Sequence, residues 1–81
     1  MSNRSKYIQI FINLFNVDKS VLNESFTYEE RSDWDSMSHF ALITELEESF
    51  DLIFETEDIL NYQSFDNGIK ILENYGISFD E

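Results

Sequence analysis

The stretch Asp35-Ser36-Met37-Ser38-His39-Phe40-Ala41-Leu42-Ile43-Thr44-Glu45-Leu46-Glu47-Glu48-Ser49-Phe50 decides how this chain folds. Phe40, Ile43, Leu46, Glu47 and Phe50 fall on one face at helical spacing, and all but Glu47 are apolar. Asp35 is a good N-cap, and its carboxylate stands where the helix dipole favours negative charge. The pattern predicts a helix over 36–50 with Ser36 in its first turn. Ser38, Ala41, Thr44 and Glu48 fall on the outward side of that helix, and Glu45 lies near them.

Upstream, Tyr7, Ile10, Phe11, Leu14 and Phe15 recur at the spacing of a single helical face, a pattern that fades after Val17. Ser2 or Ser5 can cap this first helix. Residues 18–34 are rich in turn and cap formers, among them Asn23, Ser25, Thr27, Ser32 and Asp33. Val21, Leu22, Phe26, Tyr28 and Trp34 are scattered through them, so the segment reads as a long loop pinned onto the core. Downstream, Leu52-Ile53-Phe54 reads as a short extended connector. Thr56–Asn61 follows as one or two helical turns, with Thr56 as cap and Ile59 and Leu60 facing inward. Ser64 is placed to cap a last helix that buries Phe65, Ile69, Leu72 and Tyr75, and Gly76 stands where a helix C-terminal glycine belongs. The expected architecture is all-α: a small bundle of three longer helices plus one short helix, with a long loop after the first helix.

The 81 residues leave room for one domain, over 1–81. With 42% hydrophobic residues, including eight Phe, four Tyr and one Trp, the chain has enough apolar surface to fold despite its charge. There is no cysteine, which excludes disulfides and thiolate metal sites. The single histidine, His39, cannot form a cluster, and neither familiar glycine-rich phosphate loop is present. A calcium loop at Asp33–Ser38 fails because Met37 takes a ligand position and no glycine follows. Paired carboxylates such as Glu47 and Glu48 are ordinary on a solvated helix face. An enzyme is therefore not expected. Seventeen acidic against five basic residues give a net charge of −12, which repels nucleic acid and anionic lipid and steers basic protein surfaces toward the chain. Acidity alone also serves solubility. No signal-like or membrane-spanning apolar run is present, so a cytoplasmic monomer without a membrane span is expected.

Asp35 and Ser36 by themselves are ordinary helix-start residues. With the rest of the pattern they mean more. Asp35-Ser36-Met37, followed by Leu46-Glu47-Glu48-Ser49-Phe50, resembles the Asp-Ser-Leu motif and Leu-Glu-Glu-x-Phe segment of acyl and peptidyl carrier proteins. From Asp35 to Leu72 the chain follows that family's pattern without a gap. The resemblance implies an acyl-carrier-like bundle in which Ser36 carries a covalent 4′-phosphopantetheine arm, placed there from coenzyme A by a phosphopantetheinyl transferase. Asp35 would stand beside the phosphodiester. Met37, Glu45 and Glu48 would meet partner enzymes bearing basic patches, among them a ligase that loads the acyl or aminoacyl group and acyltransferase-type enzymes.

There are departures. Met37 replaces the commoner Leu, a swap of similar volume. Ser32-Asp33-Trp34 stands where a glycine often precedes the Asp-Ser pair, and Ser38, Ala41 and Thr44 are uncharged where fatty-acid carriers are more acidic. The tryptophan, with His39 three residues after the serine, resembles freestanding carriers of specialised pathways. His39 is read as an exposed helix residue without a role, contact with the arm or a partner being the alternative. Two further readings stand beside the acyl carrier: a peptidyl or aminoacyl carrier loaded by an adenylating ligase, and a cofactor-free acidic interaction module.

Overall fold

The structure, a computed structural model, describes residues 2–79; Met1, Asp80 and Glu81, which the reading of one domain over 1–81 also takes in, lie outside them. Helix α1 spans Asn3–Phe15 and begins on Ser2, whose Oγ accepts from the Ser5 amide at 3.1 Å. Tyr7, Ile10, Phe11 and Phe15 are buried, as their spacing predicts. The helix stops short of Val17 because Asn16 turns the chain in a left-handed conformation (φ 54°), which asparagine tolerates better than most residues.

The long loop is tied down as expected. Phe26 and Trp34 are each 2% exposed, and both rings meet Phe11 and Phe15. The Tyr28 amide donates to the Gln63 carbonyl at 2.8 Å and the Phe65 amide to the Phe26 carbonyl at 2.9 Å, forming an antiparallel bridge between Thr27 and Ser64. Arg31 pairs through two nitrogens with the Asp33 carboxylate and lies over the Phe26 ring. Val21 and Tyr28, by contrast, remain exposed.

Helix α2 spans Ser36–Phe50 and buries Leu42, Ile43, Leu46 and Phe50. Phe40 corrects the expected face: it is 65% exposed, and Leu42 takes the core position. A stripe built on successive steps of three drifts around a helix of 3.6 residues per turn, so Phe40 sits about 60° from Ile43. Asp51 ends α2 at φ 53°, and the connector folds under it because the Glu47 carboxylate accepts from the Phe54 amide at 2.8 Å. Phe54 is buried while Ile53 points outward.

Helix α3 spans Thr56–Asn61, with Glu55 rather than Thr56 at the cap position and no side-chain cap of its own. The Tyr75 hydroxyl ties this end of the helix from outside, accepting from the Glu55 amide at 2.8 Å and donating to Asp58 at 2.6 Å. Leu60, expected inward, is exposed; the inward place next to it belongs to fully buried Tyr62. Helix α4 spans Phe65–Asn74, capped by Ser64 on the Asn67 amide at 2.8 Å. It buries Phe65, Gly68, Ile71 and Leu72, leaving Ile69 and Tyr75 half-buried. Gly76 (φ 92°) closes it, the Ile77 amide donating to Leu72 and the Gly76 amide to Glu73.

At the centre the Tyr62 hydroxyl donates to the Tyr7 hydroxyl at 2.8 Å, which donates in turn to the Phe65 carbonyl at 2.7 Å. Gly68 permits this pairing, since a Cβ there would overlap both hydroxyls. Phe79 folds back to seal Tyr7 and Phe50 from below. The result is the expected small all-α bundle of three longer helices and one short one.

Candidate functional site

Where the long loop meets α2, buried Trp34 fixes the chain immediately before Asp35. Asp35 is extended (φ −103°, ψ −172°) and its carboxylate accepts from the Ser38 amide at 2.9 Å. Its carbonyl takes the His39 amide at 2.8 Å. These two bonds set the first turn of α2 and leave Ser36, its first residue, exposed. Among the described residues the Ser36 hydroxyl has no hydrogen-bond partner. Nothing covers it, while the backbone behind it is held by a cap and a buried indole.

Met37 is 83% exposed and heads a stripe with Ala41, Thr44 and Glu48, all solvent-facing on α2. Ser38, expected on this side, is half-buried. Glu45 is exposed but turned toward α1, where it lines a shallow groove with Lys6, Gln9 and Asn13. The structure thus places Met37 and Glu48 on one exposed stripe of α2, with Asp35 and Ser36 at the start of the helix, and sets Glu45 to the flank. Asp33, just before the site, has its carboxyl held below the usual range by the Arg31 hydrogen bonds.

On the other side of Ser36 runs a groove of about 320 Å³ between α2 and α3. Phe40 and Leu60 form its apolar walls, Tyr62 lies at its floor, and Tyr28 and Gln63 close its loop end. Sequence patterning assigned Phe40 and Leu60 to the core, so this groove was not foreseen. The signal that could have found it is the surplus of apolar residues over inward positions on both helices.

His39 is the other residue that sequence reasoning missed. It is half-buried, not solvent-exposed. The Trp34 indole N–H donates to its Nδ1 at 3.1 Å, its Nε2 lies 2.8 Å from the Ile59 carbonyl, and its ring stacks on Trp34.

Comparison with protein-family models, curated proteins and solved structures gave no match to this chain. Among the described residues there is no cluster of His, Cys, Asp or Glu that could hold a metal ion, and no helix long and apolar enough to cross a membrane.

Proposed function

We propose that this chain is a freestanding carrier that holds an acyl group as a thioester on a 4′-phosphopantetheine arm attached to Ser36 and delivers it to partner enzymes of a specialised biosynthetic pathway. The observation that carries the reading is the Ser36 hydroxyl: exposed, unpartnered and presented by rigid backbone on the first turn of α2.

The residues present fit such a group. A phosphodiester on Ser36 Oγ would stand at the positive end of the α2 dipole, beside first-turn amides that the Asp35 cap leaves unpaired. The Asp35 carboxylate is a like charge nearby, but it is already committed to the Ser38 amide. In the transfer, the Ser36 oxygen forms the new phosphate ester and gives up its proton, and the nucleotide part of coenzyme A departs. The arm supplies the thiol on which cargo is carried, since the chain has no cysteine.

Delivery asks little catalysis of the chain itself. Tethering raises the local concentration of cargo at each partner enzyme. Met37 offers a polarizable apolar contact beside the attachment point, and Glu48 on the same stripe, with Glu45 on the flank, attracts basic patches. Such contacts are fast to exchange, which suits a cargo that must move on. An aminoacyl cargo loaded by an adenylating ligase would use the same serine and the same stripe.

The absence of cysteine gives the test a clean baseline. Thiol titration of the denatured chain should read zero before, and one per chain after, incubation with coenzyme A, magnesium and a promiscuous phosphopantetheinyl transferase, followed by desalting. Ser36→Ala should stay at zero. A native chain that stays at zero with several such transferases would overturn the carrier and leave the cofactor-free acidic module.

A further inference from the structure

The seam between α2 and α3 is held very differently from the other side of α3. Toward α4, the short helix is tied by Tyr75 to Asp58 and to the Glu55 amide, and by the Asn67 side chain to the Asn61 carbonyl. Toward α2, among the described residues, a single hydrogen bond crosses: His39 Nε2 to the Ile59 carbonyl at 2.8 Å. A six-residue helix has no stability of its own, so its position is set by these ties.

The imidazole's partners also fix its chemistry. An indole N–H can only donate, so Nδ1 must accept from Trp34. The Ile59 carbonyl can only accept, so Nε2 must carry the proton. Both requirements are met by one species, the neutral ring protonated at Nε2. Trp34 is buried against Phe11, Phe15 and Phe26, so the bolt is anchored in the core at one end and in α3 at the other.

We propose that His39 is a positioning residue that bolts α3 across the seam beside Ser36, and so confines a chain tethered at Ser36 to the outer groove between Phe40 and Leu60. Tyr62, at the floor of the groove, and Leu42, Leu46 and Leu72 have no exposed surface. The groove outside the bolt is walled by two exposed apolar side chains and ends at Ser36 itself. The bolt stands on the unmodified chain; the confinement of cargo rests on the carrier reading.

The bolt is tested first without any arm. Nitrogen-15 NMR of the native chain should show the His39 ring protonated at Nε2 and bare at Nδ1; protonation at Nδ1 would overturn the pairing with Trp34. His39→Phe keeps a ring on Trp34 but loses both hydrogen bonds, whereas His39→Gln keeps a donor that reaches the Ile59 carbonyl. Amide protection over residues 59–62 should drop about tenfold in His39→Phe, the worth of one net hydrogen bond, and be largely restored in His39→Gln. Protection in α1 and α4 should not change. Equal protection in all three chains would refute the bolt. Confinement is then read on chains loaded from octanoyl-coenzyme A by the transferase. In the native chain, shift changes should fall on Phe40 and Leu60, and in His39→Phe they should extend to Leu42 and Leu46. Movement of Leu42 and Leu46 in the native chain would overturn confinement. A chain that cannot be loaded would count against the carrier reading, with the bolt still judged by protection.

Discussion

Tyr62 and Tyr7 share a hydrogen bond in the centre of the bundle, where neither side chain has exposed surface. Burial pushes both phenols well above their ordinary range, and for Tyr7 the neighbouring Tyr62 adds to the effect. The sign follows from linkage. A phenol that must stay neutral when folded contributes stability that is complete below the unfolded value near pH ~10 and is lost as pH rises beyond it. The urea midpoint of the native chain should therefore fall between about pH 8 and about pH 11. Tyr62→Phe should cost about 1 kcal/mol at the lower pH, because Tyr7 keeps its bond to the Phe65 carbonyl. It should then lose less than the native chain on going to the higher pH. Parallel losses in the two chains would show that the tyrosine pair does not govern alkaline stability.

The elements differ in how they are held. α1 and α4 close on apolar stripes with serine caps, and both were legible in extent and cap, though in α4 Phe65 and Leu72 turn fully inward as expected while Ile71 takes the place expected of Ile69. α2 was legible in extent, in cap and in the inward facing of Ile43, Leu46 and Phe50, but not of Phe40, which mimics a core position. α3 was legible in extent and in the inward place of Ile59, but not in its cap or in Leu60. Too short for periodicity to decide which of Ile59 and Leu60 turns in, it takes its place from Tyr75 and His39, partners distant in sequence. The connector before it depends on Glu47, whose carboxylate holds the Phe54 amide. Glu47→Ala should destabilise the chain by about 1–2 kcal/mol, the cost of leaving that half-buried N–H without its acceptor. Glu47→Gln, which keeps an acceptor oxygen, should recover at least half of the loss. Equal denaturation midpoints for the native chain and Glu47→Ala would show that the carboxylate does not hold the connector.

At the scale of the molecule, the core and the candidate site meet along α2. The core draws on α1, α2, α4 and the anchored loop, with Phe79 folded beneath. The exposed side of α2 carries Ser36, the Met37–Glu48 stripe and one wall of the groove between Phe40 and Leu60. The place of Ser36 at an exposed helix start was legible from the Asp35 cap and the pattern that follows it. The groove and the His39 bolt were not, since both arise from where α3 lies against α2. With a net charge of −12 over the whole chain, this face is set in a negative field that attracts basic surfaces. Ser36, one of ten serines, is the proposed point of attachment of the arm. The measurement that tests it most directly is intact mass followed by peptide mapping of the chain after reaction with coenzyme A, magnesium and a phosphopantetheinyl transferase. A gain of one phosphopantetheine is expected, found only on the peptide that holds Ser36. No gain, or a gain mapped to any other serine, would contradict it.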